Sequence, residues 1–90
     1  MSHDLGNGVS LTVVGCIAIL AIGYDGSVTN TYKQIATLPE FARPARTLFA
    51  VGYVASNGVL GHVYIGSNGQ VQVRGTSAGS VLNATASWAF

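Results

Sequence analysis

His62 and Tyr64 stand two residues apart in a run rich in β-favouring types, so a strand there presents both on one face. The turn Ser67-Asn68-Gly69 then sends the chain back through Gln70 to Arg74, and simple hairpin pairing brings Arg74 to the same side. Trp88, near the C-terminus, is the largest ring in the chain. Aromatic rings stack on the apolar faces of sugars, while imidazole and guanidinium groups hydrogen-bond to hydroxyls. His62, Tyr64, Arg74 and Trp88 are therefore the candidate residues for binding a polar, ring-shaped ligand such as a saccharide. Each also has a plainer reading. For His62 and Tyr64 it is a half-buried strand position, for Arg74 solvent exposure, and for Trp88 packing in a core or an interface.

No catalytic constellation is visible beside them. The acids are Asp4, in a terminal stretch, and Asp25 and Glu40, in separate turn-like segments; turn bonding and surface solvation account for all three. His3, His62, Cys16 and these acids fall at no recognisable metal-ligand spacing, and Gly66-Ser67-Asn68-Gly69 reads as a hairpin rather than a phosphate-cradling loop before a helix. The expectation is a non-enzymatic protein with no metal and no cofactor. Cys16, the single cysteine, lies in an apolar run and reads as a small buried hydrophobe.

The elements that position the candidate residues must cope with an unusual composition. The 90 residues include only four Lys or Arg and three Asp or Glu, against 49% hydrophobic residues and 12 Gly. Soluble domains carry about 25% charged residues. A net charge of +1 is too small to hold a phosphate backbone, so nucleic acid is not an expected partner. A chain this short has little interior in which to hide its apolar side chains, and its weak charge gives little colloidal repulsion, so association with copies of itself is expected. The alternative solvent is lipid. The apolar stretch 9–23 is shorter than the roughly 20 residues of a spanning helix. It is also β-branched and is interrupted by Gly15. Two strands explain it better than one membrane helix, and no membrane insertion is expected.

Residues 1–6 read as a disordered or tag-like tail, followed by a single β domain over 7–90. Gly6-Asn7-Gly8 opens it with turn chemistry. Val9, Leu11 and Val13 alternate with Ser10 and Thr12 in a first strand, and 16–22 form a second whose continuous apolar character predicts burial on both faces, in a core or against a neighbouring subunit. Tyr24-Asp25-Gly26-Ser27 is expected to turn, with a short polar strand over 28–33. Pro39 and Pro44 make 38–44 an irregular crossing, with Arg43 and Arg46 bracing it. A strand over 46–54 puts Phe49, Val51 and Tyr53 on one face. Asn57-Gly58 and Asn68-Gly69 then join strands over 59–65 and 70–74, and their positive-φ preference marks an antiparallel meander. Closing strands are expected at 80–83 and 86–90. No stretch keeps a helical period. The fold class is all-β, an antiparallel barrel or sandwich of about seven or eight short strands.

The order of these features resembles a known family. The hairpin at Val9-Ser10-Leu11-Thr12-Val13-Val14-Gly15 is followed by the crossing Leu38-Pro39-Glu40-Phe41-Ala42-Arg43-Pro44. Then come the strand Arg46-Thr47-Leu48-Phe49-Ala50-Val51-Gly52, the segment His62-Val63-Tyr64-Ile65 and the turn Ser67-Asn68-Gly69. Over residues 7–90 this is similar to the C-terminal head domains of receptor-binding proteins in siphophage tails, especially those of phages infecting lactic-acid bacteria. The resemblance implies a β-barrel-like head assembled as a homotrimer at the virion tail tip. It would bind host cell-wall polysaccharide without enzymatic activity, alongside other tail or baseplate proteins. In better-known members a His-x-Asp pair precedes the hairpin turn and a Trp lies on the returning strand. Here His62 matches the His, Tyr64 occupies the Asp position, and Val71 and Val73 stand on the returning strand, so the head architecture is better matched than that pocket. A structural trimerisation or cap domain of a viral fibre, with no ligand of its own, uses the same sequence grammar and is the alternative.

Overall fold

The computed structural model describes residues 2–76 and 78–90. It contains eight strands: β1 (Ser2–Gly6), β2 (Val9–Val14), β3 (Ile17–Val28), β4 (Lys33–Thr37), β5 (Leu48–Val54), β6 (Val59–Ile65), β7 (Gln70–Gly75) and β8 (Gly79–Ala89). They form one antiparallel sheet in the order β1-β2-β3-β8-β5-β6-β7-β4, curled into a nearly closed barrel. The all-β reading and the β5-β6-β7 meander hold, with β6 spanning the residues expected of it.

Closure depends on a bulge. In β4, Ile35 is an extra residue between the pairs Gln34↔Gln72 and Ala36↔Val71, so its carbonyl falls outside the ladder. The Asn7 amide, from the β1–β2 turn, donates to that carbonyl at 2.7 Å and ties the two sheet edges together.

Period-2 alternation builds the core. Leu11, Leu20, Leu82, Val54, Val63, Ile65, Val71 and Val73 all point inward and are fully buried. Leu38 and Ala42 plug one end from the crossing, where a 3₁₀ turn, Glu40–Ala42, sits between the two prolines. Arg43 braces this crossing as expected, its Nε donating to the Leu38 carbonyl at 3.2 Å, while Arg46 is exposed. Among the described residues no helix is long and apolar enough to cross a membrane.

Several local expectations are corrected. Residues 2–6 are not a disordered tail but β1, paired with β2 from Ser2↔Thr12 onward. The continuous apolar run in β3 is not buried on both faces within the chain. Ala18, Leu20 and Ile22 face inward, while Ile17 and Ile19 are exposed. Tyr24-Asp25-Gly26-Ser27 does not turn the chain. β3 continues through it as a bulge, with Asp25 and Gly26 opposite the single residue Val81, whose φ of 61° takes up the irregularity. The polar strand expected over 28–33 is therefore displaced to β4, and the two closing strands are one, β8. Of the Asn-Gly pairs, only Asn7-Gly8 has both residues at positive φ, 55° and 75°, as a two-residue hairpin turn requires. At Asn57-Gly58 and Asn68-Gly69 only the glycine is left-handed, so these hairpins use longer loops. Cys16, expected to be buried, is exposed in the turn between β2 and β3.

Candidate functional site: an aromatic platform on the outer face

Three of the four candidate residues meet. His62 lies directly across from Arg74, and Tyr64 across from Gln72, all on the outer face of β6 and β7. On the other side of β6, Val51 faces His62 and Phe49 faces Tyr64. The Tyr64 ring meets Phe49 edge-on at a centroid separation of 5.6 Å and Tyr32 at 5.9 Å. Tyr32 comes from the β3–β4 connection, and the Arg74 guanidinium carbon sits 5.3 Å from its ring centroid. At this distance the ring quadrupole attracts the cation, and its N–H donors stay available for other partners. His62, Tyr64 and Arg74 are half-buried, and Phe49 is 69% exposed.

The platform therefore combines three rings, an imidazole and a cation. Chemically it can stack on a flat apolar face and donate hydrogen bonds at its margin. Nothing in it is arranged as a nucleophile with a base. Among the described residues no group of three or more His, Cys, Asp or Glu could hold a metal ion.

Trp88 is elsewhere. It is only 8% exposed, packed in the core, and its indole Nε1 donates to the Ala42 carbonyl at 2.8 Å. The plainer reading of Trp88 describes its place. Its position on β8 after the bulge points the ring inward, together with Leu82 and Ala18.

Two platform members escaped the sequence reading. Alternation along β5 puts Phe49 on a face with Val51 and Tyr53, and the register of the β5–β6 hairpin, Val54↔Val59 through Phe49↔Tyr64, links it to Tyr64. Tyr32 carries no such signal, because an irregular connection brings it over β7. On the other flank of β5, a shallow groove of about 500 Å³ runs beside β8 and contains none of the four candidate residues.

In comparisons with known proteins, the chain matches no family model and no curated protein sequence.

Proposed function

We propose that this protein is a non-enzymatic host-recognition head of a phage tail fibre or baseplate, assembled as a homotrimer and binding cell-surface saccharide through the outer face of β5, β6 and β7. The observation that carries the binding half of this reading is the partly exposed platform of Phe49, Tyr64 and Tyr32 with Arg74 and His62 at its edge. Stacking surface plus neutral and cationic donors, without a reactive pair, suits reversible recognition of a polyhydroxylated ring. The motif order described above supplies the tail-tip context.

The assembly half is supported by a second apolar patch. Val14 and Ile17 flank the Gly15-Cys16 turn, Ile19 follows on the same face, and Phe90 docks its amide on the Cys16 carbonyl at 2.9 Å. Phe41 lies 6.4 Å from the Phe90 ring. All five side chains are exposed in the single chain. Sister protomers on this patch would remove it from water at about 25 cal/mol per Å² of apolar area. The fibre-cap reading draws on the same patch and differs only in assigning no ligand to the platform.

Sedimentation at micromolar concentration is expected to give three times the 9.2 kDa chain mass. Ile19→Asp, which places a charge in that patch, is expected to shift the protein toward monomer. A wild-type monomer would overturn the assembly half. On an array of bacterial wall glycans, Tyr64→Ala and Arg74→Ala are each expected to weaken binding about tenfold, equivalent to about 1.4 kcal/mol. Clustering of weak sites on a trimer amplifies this loss in any multivalent format. A trimer that binds no glycan supports the cap instead.

A further inference from the structure

The groove on the far flank of β5 is built from three strands that present small outward-facing side chains in register. Ser10 of β2 pairs with Ala21 of β3, which pairs with Thr85 of β8. One row further along, Gly23 of β3 pairs with Asn83 of β8, which pairs with Tyr53 of β5. The β5–β8 ladder covers only Tyr53↔Asn83 and Val54↔Leu82, and the groove opens where it ends. Val51 and Tyr53, 62% and 53% exposed, form its wall.

The chemistry of this lining is specific in one respect. It holds two hydroxyls, one carboxamide and one phenol ring, and no Asp, Glu, Lys, Arg or His. No side-chain hydrogen bond within the described residues occupies the Asn83 carboxamide. Beside it Gly23 carries no side chain, and a Cβ there would come into ordinary van der Waals contact with the Asn83 Oδ1 at 3.7 Å. The result is a neutral floor of donors and acceptors next to an exposed ring. An anionic ligand would find no counter-charge here, and a purely apolar one would strand the amide and hydroxyls without partners.

We propose that this groove is a second binding subsite, for an uncharged polyhydroxylated unit, with Tyr53 stacking on the sugar face and Asn83 and Thr85 bonding its hydroxyls. The inference rests on the saccharide reading above and deepens it. β8 and β7 are three strands apart, roughly 14 Å, and the Val51–Phe49 side of β5 is the ridge between groove and platform. The ligand is therefore a polymer laid across β5. Its neutral units sit in the groove, and any acidic substituent lies on the Arg74 side.

The test uses the full chain labelled with ¹⁵N and an array of neutral and anionic wall oligosaccharides, with hits titrated from single sugars up to oligomers. A neutral oligomer is expected to shift the amides of Gly23, Tyr53, Asn83 and Thr85 together with those of His62 and Tyr64, and to bind more tightly as its length grows. Tyr53→Ala, on an exposed side chain outside the core, is expected to lower oligomer affinity about tenfold. It should leave single-sugar shifts at Tyr64 unchanged. Gly23→Val, which sets a branched side chain against Asn83, is expected to do the same. Shifts confined to the platform at every length would overturn the groove and leave the saccharide reading standing. Groove shifts with anionic sugars alone would overturn its neutral character. No binding by any sugar would remove both the groove and the reading beneath it.

Discussion

Trp88→Ala is expected to destabilise the protein by about 3–5 kcal/mol, the range for truncating a large buried ring. Small domains have a total stability of about 5–15 kcal/mol, so much of the population would unfold under mild conditions. Two losses add. The ring leaves a cavity among Ala18, Leu20 and their neighbours in the core, and the Ala42 carbonyl loses the indole donor that reaches it at 2.8 Å. That bond joins β8 to the 3₁₀ turn of the crossing, 46 positions away in the chain, so it holds shut the end of the barrel that local pairing does not reach. Trp88→Phe separates the terms: it keeps most of the ring but strands the carbonyl, costing about 1–3 kcal/mol. Urea unfolding at fixed protomer concentration measures both, because any oligomer makes the midpoint concentration-dependent. Folded Trp88→Phe protein should keep the outer platform, and with it the glycan binding proposed above. An unchanged midpoint for Trp88→Ala would mean that the ring is not the keystone described here.

Gly52→Ala is the second large effect, at about 3 kcal/mol, the upper part of the range for forcing extra atoms into a packed site. Gly52 lies next to the Tyr53↔Asn83 pair that joins β5 to β8. A Cβ at this position would fall 2.1 Å from the Asn83 carbonyl oxygen and 2.7 Å from the Ala84 Cβ. The first obstacle is backbone, so no rotamer change relieves it, and β5 must move away from β8. Because the Tyr53↔Asn83 pair lies next to it, the same displacement widens the groove. Gly58→Ala is the control. Its φ of 70° imposes local strain of about 1–2 kcal/mol, but nothing lies within 4 Å of the added carbon. Denaturant midpoints should rank Gly52→Ala well below Gly58→Ala. The reverse order would show that backbone conformation, and not strand crossing, governs glycine here.

Both effects lie where the chain meets itself across long sequence separations, and this is also where sequence reading lost its grip. Neither the crowding at Gly52 nor the partner of the Trp88 indole has a local signature. A glycine between Val51 and Tyr53 looks like a weakened strand position, and a Trp near a terminus looks as suited to a ligand as to a core.

What the amino-acid order determined by itself was the alternation of faces and the hairpin loops of the β5-β6-β7 meander. Alternation of Val63, Ile65, Val71 and Val73 with His62, Tyr64, Gln72 and Arg74 specifies which side of β6 and β7 is buried, and the loop at Asn68-Gly69 sets their register, so three platform residues were legible in advance. The tertiary structure alone decided the rest. Tyr24-Asp25-Gly26-Ser27 has the composition of a turn, yet pairing with β8 on one side outweighs it and absorbs it as a bulge. Ile17 and Ile19 match Leu20 in hydrophobicity, but a sheet curled around one core can bury only one of its faces. Tyr32 reaches Tyr64, and Asn7 reaches Ile35, because closing a sheet brings together segments that no periodicity relates.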